Sequence, residues 1–270
     1  MVFTELLPFV LVYRTEKMKS LIVKQVSNYK LEQDYLEVPK ITPETAILKV
    51  EACGLCGSDV EQYKGSFGFV TYPLIPGHEP IGQILEIGEE AKNRWKVKEG
   101  DYVALEPHIS CGHCFSCKSG NYHLCKIESK KIKWFEQEGL PAYGYMPMSH
   151  DHGLWGGYSE YMYLHPNTVL HKIPKNVPLP IASMYQAIAA GVRWAVQVPK
   201  TSIGDTVLIL GPGQRGIASV IACKEIGAKK IIVTGLKKDK HKLSLCKAFG
   251  ADHIINIDEE NTVEKVMEYT

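Results

Sequence analysis

Four cysteines fall in one 15-residue window, Cys111-Gly-His-Cys114-Phe-Ser-Cys117-Lys-Ser-Gly-Asn-Tyr-His-Leu-Cys125. Four thiolates at this spacing wrap one tetrahedral ion within a small lobe. With every position filled by sulfur, no site is left for a substrate. The window is therefore read as a structural zinc site held by Cys111, Cys114, Cys117 and Cys125. The competing reading is buried or disulfide-linked cysteines. A nucleic-acid zinc ribbon fits less well, because it separates two Cys-x-x-Cys knuckles by about 15–20 residues. Lys118, Lys126, Lys130, Lys131 and Lys133 nearby read as a solvated face.

Charge and hydropathy narrow the class further. The 270 residues carry 31 Lys and Arg against 30 Asp and Glu, for a formal charge of +1. That balance argues against nucleic-acid binding driven by a basic surface. No run approaches the roughly 18 apolar residues of a membrane span. An apolar stretch, Leu6 to Tyr13, mimics the core of a secretory leader. No basic residue precedes it, Pro8 interrupts it, and Arg14, Glu16 and Lys17 follow it. Residues 1–17 are read as an extension, with Met18 a candidate start. Clustered cysteines without a leader point to metal binding in the reducing cytoplasm.

The pattern changes along the chain. Residues 18–190 read as short β segments with dense Gly and Pro punctuation. A strand is expected over Ala46–Ala52, a second over Gly82–Gly88, and a turn feeding a third over Val97–Ala104. Residues 191–270 read as α/β, after helical spacing over Ile181–Val196. The order is strand 206–210, helix 217–226, strand 230–234, helix 239–249, strand 253–257 and helix 262–269. This alternation indicates a parallel sheet, and the continuous apolar run Thr206–Leu210 predicts a strand buried on both faces. The long segment 127–160 carries Trp134, Tyr143, Tyr145, Met146, Met148 and Trp155. It is read as the wall of an apolar substrate pocket or the cover of an oligomer contact. His150 and His152 within it read as ordinary loop histidines.

A second constellation is dispersed. Cys56-Gly57-Ser58-Asp59 and Gly77-His78-Glu79 offer a thiolate, an imidazole and a carboxylate, all suitable zinc ligands. Cys53 makes a Cys-x-x-Cys pair with Cys56, read as a buried strand cysteine with redox activity as the alternative.

These segments resemble the zinc-dependent medium-chain alcohol and polyol dehydrogenases. The likeness is carried by Gly77-His78-Glu79-Pro80-Ile81-Gly82 continuing to Gly88, by the four-cysteine lobe, and by Gly211-Pro212-Gly213-Gln214-Arg215-Gly216. The resemblance implies a GroES-like β-barrel catalytic domain followed by a Rossmann doubly wound parallel sheet. It implies a catalytic zinc on Cys56 and His78, with Glu79 as a fixed or exchangeable ligand. Asp59 would orient the His78 ring, and Ser58 would take the proton of the substrate hydroxyl. The remaining ligand should precede the cofactor domain, where this chain has Gln186, a neutral oxygen donor. The proton relay departs from the family pattern, with Glu61 where many members have histidine.

The glycine loop 211–216 follows an expected strand and opens an expected helix, the context that gives Gly-x-Gly-x-x-Gly its meaning for dinucleotides. About 20 residues on, NAD-specific sites carry an acidic residue for the ribose hydroxyl. Here Gly235 stands at that place and Lys237 and Lys238 follow. NADP is favoured, with NAD use left open. The sequence supplies three of the six strands of a Rossmann sheet, so a C-terminally truncated member is expected. The reaction expected is hydride transfer between a small alcohol and NAD(P). The alternative is an inactive zinc-binding fragment with a structural or interaction role. Full-length members of the family are expected to be homo-oligomers.

Overall fold

The computed structural model describes residues 18–125 and 142–270. The expected extension 1–17, Trp134 and the lysines from Lys126 to Lys133 lie outside these residues. Two compact units divide between Leu179 and Pro180.

The first unit opens with the antiparallel hairpin β1 (Lys19–Ser27) and β2 (Lys30–Glu37). It continues through β3 (Ala46–Gly54), α1 (Gly57–Lys64), β4 (Glu79–Ile87), α2 (Glu89–Trp95), β5 (Tyr102–Leu105), α3 (Phe115–Lys118), β6 (Tyr161–Leu164) and β7 (Leu170–Lys172). Five of these strands form an antiparallel sheet in the order β6-β3-β4-β5-β7. β3 lies between β6 and β4, so Ala46, Ile47 and Leu48 are buried in succession rather than alternately. The core gathers Ile22, Ile75, Ile84, Val103, Leu105 and Met162 around Trp155. A Cβ at Gly82 would overlap the Lys49 carbonyl oxygen, so glycine is what lets β3 and β4 meet there.

Several aromatic and sulfur side chains expected to wall a pocket prove to be core. Tyr143, Met146 and Trp155 are buried to 1% exposure or less. Trp155 Nε1 donates to the His150 carbonyl at 2.9 Å, which satisfies its one polar atom. Burial area won over loop position: a place in the segment before β6 does not keep large rings out of the core. Tyr145 differs, and lies at the site described below.

The second unit holds α4 (Leu179–Ala182) at its entry, α5 (Tyr185–Val192), a π-helical turn over Arg193–Gln197, β8 (Thr206–Leu210), α6 (Gln214–Glu225), β9 (Lys230–Gly235), α7 (Lys240–Ala248), β10 (His253–Asn256) and α8 (Thr262–Tyr269). The three strands are parallel in the order β10-β9-β8. Ile209, Val220, Ile231, Val233, Leu243 and Cys246 form the core between sheet and helices. β9 is central and buried, as a parallel strand should be. β8 corrects the expectation of burial on both faces. Only Ile209 is buried, while Leu208 and Leu210 are 41% and 76% exposed. β8 stands at the sheet edge, with β9 as its one partner among the described residues. No helix of the described residues is long and apolar enough to cross a membrane.

Candidate metal and dinucleotide sites

The first candidate site is assembled by the start of α1 and the start of β4. Cys56 is the N-cap of α1, in extended backbone, and is buried. Glu79 is the first residue of β4 and pairs with Gly54 of β3. Gly77, at φ +89°, turns the chain into β4, a left-handed conformation that favours glycine. Ligand atoms of Cys56, His78 and Glu79 all lie within 4.8 Å of one another, and all three residues are buried. A thiolate, an imidazole and a carboxylate at such separations suit a zinc ion with a coordination position left for another group.

Asp59 fixes this arrangement. Its Oδ1 lies 3.1 Å from His78 Nδ1 and its Oδ2 accepts from the Cys56 backbone N–H at 2.8 Å. The carboxylate therefore commits Nδ1 and leaves Nε2 to face the site. Burial works against a charged His78. The bond to Asp59 and the Cys56 thiolate override it, and the net direction is upward. Burial likewise pushes the Cys56 thiol up, but bonds from Ser58 and His78 outweigh it and bring it down. Cys53 behaves oppositely: burial holds its thiol up at about 12. It is wedged between Gly77 and Gly157, where an added Cβ would meet its sulfur at 3.0 and 2.6 Å. The two cysteines are unbridged, and Cys53 is a packed strand residue.

Ser58 Oγ lies 3.4 Å from His78 Nε2, beside the three candidate ligands. Glu61 has partners of its own. Its carboxylate is half exposed, pairs with Lys64 Nζ at 3.0 Å and accepts from Ser66 Oγ at 2.9 Å. These bonds are those of a surface charge on α1. The neighbour of Ser58 is Tyr145, whose hydroxyl donates to Ser58 Oγ at 3.3 Å and lies 3.4 Å from His78 Nδ1. The sequence marks Tyr145 as part of a pocket wall or oligomer contact, but not its bond to Ser58, which lies 87 residues away.

The four-cysteine lobe closes as expected. Cys114 and Cys117 sulfurs are 3.5 Å apart and Cys111 and Cys117 sulfurs 3.9 Å apart. A tetrahedron with Zn–S bonds of about 2.3 Å has S···S edges of about 3.8 Å. Backbone N–H groups point at the sulfurs: Cys111 N to Cys125 Sγ at 3.5 Å and Cys114 N to Cys111 Sγ at 3.4 Å. Such bonds favour thiolates, and although burial opposes it the Cys111 thiol falls to about 6.

In the second unit, Gly211 leaves β8 at φ +96° and Gly213 caps α6. An added Cβ at Gly211 or Gly213 would meet nothing within 4 Å, so both sit beside open space. At Gly216 it would overlap the Gly211 carbonyl, so that glycine serves close packing of helix on loop. Gln214 and Arg215 form the first turn of α6, and the Arg215 guanidinium lies 4.5 Å above the Trp194 ring. The open face of this loop and the helix N-terminus behind it suit a pyrophosphate. Gly211 N donates to Thr234 O at 3.0 Å and Pro212 packs against Gly235, which joins the loop to the end of β9. Lys237 follows, with Nζ on Glu259 at 2.9 Å and its backbone N–H on Asp258 at 2.8 Å. Gln186 lies on α5 of this unit, where its Nε2 donates to Tyr185 Oη at 3.2 Å.

Residues 42–175 match the alcohol dehydrogenase GroES-like domain. A Mycobacterium tuberculosis H37Rv protein named "probable alcohol dehydrogenase" is 39% identical over 235 residues, covering 86% of this chain and 61% of its own length. The chain belongs to the medium-chain alcohol/polyol dehydrogenase family. Among solved members of similar fold, an alcohol dehydrogenase of Thermotoga maritima has a TM-score of 0.79 at 26% identity, covering 93% of this chain and 67% of that one. A Sinorhizobium meliloti protein described as a zinc-binding dehydrogenase, solved bound to NADP, has a TM-score of 0.73 at 25% identity, covering 92% and 65%. The chain thus spans 61% of the mycobacterial relative. The sheet of the first unit is the GroES-like fold and the three parallel strands are part of a Rossmann sheet.

Proposed function

We propose that this chain serves zinc-dependent hydride transfer between a small alcohol and NADP, interconverting alcohol and ketone or aldehyde. The observation that carries the reading is the convergence of Cys56, His78 and Glu79 beside Ser58 in a member of a dehydrogenase family. Zinc, when bound, supplies a Lewis acid that eases loss of the hydroxyl proton, and NADP accepts the hydride. Cys56, His78 Nε2 and Glu79 would hold the ion, and the four-cysteine lobe would hold a second, structural one. Asp59 keeps the His78 ring turned to the site. Ser58 Oγ would accept the hydroxyl proton as it passes its own proton on toward solvent, and the bond from Tyr145 fixes the direction in which its lone pairs point. The open side of Gly211 and Gly213 would take the pyrophosphate on the N-terminus of α6. The missing carboxylate at Gly235, with Lys237 beside it, favours a 2′-phosphate over a free ribose hydroxyl. The NADP bound to the Sinorhizobium protein supports the cofactor class. Thiolate ligands at both metal sites suit the reducing cytoplasm.

A second reading is carried by β8, whose exposed Leu208 and Leu210 sit on a sheet edge where β9 is the one partner strand among the described residues. On that reading the chain holds zinc and acts as a structural or interaction protein through this edge. Metal analysis of the purified chain with an NADPH fluorescence titration decides between them. Two zincs and saturable NADPH binding support the dehydrogenase. Two zincs without NADPH binding select the second reading. A single zinc, lost in Cys111→Ser and kept in Cys56→Ser, overturns the catalytic metal site.

A further inference from the structure

Three aromatic rings form a continuous surface that starts at the reacting groups of the first unit. Tyr145 is the inner one, with its ring centroid 5.2 Å from that of His78 and its hydroxyl 3.3 Å from Ser58 Oγ. Phe67 and Phe69, just beyond α1, are the outer two. They stack on each other at 5.3 Å and 14°, and lie 6.3 and 6.2 Å from the Tyr145 ring. Gly68 between them carries no side chain to separate the rings. Phe69 remains 40% exposed, although the core of the same unit buries Trp155 to 1%. A single exposed ring needs no explanation, but three contiguous rings leading from a buried metal-ligand cluster to solvent do.

The surface is also poor in hydrogen bonds. Phe67 and Phe69 offer none, and the one polar atom of the wall, Tyr145 Oη, is already committed to Ser58 and His78. An alcohol with its oxygen at Ser58 would lay its carbon substituent along these rings. Extra hydroxyls on that substituent would leave water and find no partner on the wall. A flat ring would find faces and edges for offset or edge-on contact.

We propose that Phe67, Phe69 and Tyr145 select alcohols whose carbinol carbon bears an aromatic or similarly flat apolar group, and disfavour polyols. The proposal rests on the reading of Cys56, His78 and Glu79 as the reacting metal site. The experiment uses the whole zinc-loaded chain, with binding of benzyl alcohol and of sorbitol followed by ligand-observed saturation-transfer NMR. Benzyl alcohol should bind on the order of tenfold tighter than sorbitol. Phe69→Ala and Phe67→Ala should each weaken benzyl alcohol several-fold and leave sorbitol unmoved. Phe69→Leu, which keeps apolar bulk, should fall between Phe69→Ala and the unaltered chain. Equal or tighter sorbitol binding overturns the proposal, as does an equal loss for both ligands or no benzyl alcohol binding at full zinc occupancy. Zinc measured on the same samples separates the two levels. Loss of the Cys56-dependent zinc breaks the dehydrogenase reading. Full zinc without a benzyl preference breaks the aromatic selection alone.

Discussion

Gly54 faces Glu79 across the β3–β4 pair so closely that a Cβ at position 54 would overlap Glu79 Oε2. The glycine is therefore the space in which the carboxylate lies. Gly54→Ala should push Glu79 out of the cluster while the rest of β3 stays paired. The expected outcome is a metal affinity at the Cys56 site lower by about tenfold or more, the scale seen when the surroundings of a ligand are disturbed. Metal titration checks this, and the four-cysteine site should keep its zinc in the same sample.

Asp59 accepts from two sides at once, and Asn cannot. In Asp59→Asn, one of the two contacts, to His78 Nδ1 or to the Cys56 N–H, would meet an amide donor where an acceptor stood. Zinc affinity at that site should fall about 10–100-fold. Glu61→Gln breaks only exposed bonds to Lys64 and Ser66. It should leave zinc binding unchanged and stability within about 0.5 kcal/mol. Zinc loss in Glu61→Gln equal to that in Asp59→Asn would contradict the assignment of the two carboxylates.

A third prediction concerns acid stability. Asp101 accepts from Lys172 Nζ at 2.8 Å and from the Lys98 N–H at 3.1 Å, tying the turn before β5 to β7. The bond from Lys172 holds its carboxyl below the ordinary carboxylate value, against the effect of burial. A lowered folded value means that the stabilisation is complete above the unfolded value, near 3.9. It is lost as pH falls below that and through the folded value. Lys172 is half exposed, so screening limits the contribution to about 1 kcal/mol. Asp101→Asn should lower the urea midpoint at pH 7 and leave it unchanged at the acid end, where the wild-type carboxylate is itself protonated.

The sequence was most legible where one short segment carries the whole pattern. β8, β9 and β10, each a run of apolar and β-branched residues between helices, fall within one residue of their expected bounds. The four cysteines converge because 15 residues leave few other ways to fold around one ion. The first unit was harder. β2 is largely exposed, and β6 and β7 are only 4 and 3 residues long. Their periodicity is too short to read, and their pairing is set by distant partners. The same reason hides Gly54 and the bond of Tyr145 to Ser58: each matters through a contact across the sheet or loop, not through its neighbours in sequence. Glu61 shows the converse. Its spacing from Ser58 is right for the family pattern, but Lys64 and Ser66 offer it partners on the outer face of α1.

The cofactor preference is testable at Gly235 and Lys237, and the geometry makes the two unequal. A Cβ at Gly235 would stand 3.0 Å from Leu243 Cδ2 and from Pro212 Cδ and Cγ. Restoring an acidic residue by Gly235→Asp therefore crowds the core beneath the glycine loop, at a cost of about 1–3 kcal/mol. Its melting temperature should fall whether or not NADH binding improves. Lys237 is exposed and held by Glu259, so its removal should leave stability nearly unchanged. Lys237→Ala should weaken NADPH about fivefold and NADH hardly at all, since on the proposed reading only a 2′-phosphate would meet the ammonium. Glu259→Gln should act in the opposite direction, because it frees Lys237 from a competing carboxylate. Fluorescence titrations of both cofactors with the three variants give the test. Equal effects of Lys237→Ala on NADPH and NADH would place the lysine away from the ribose and remove its part in the preference.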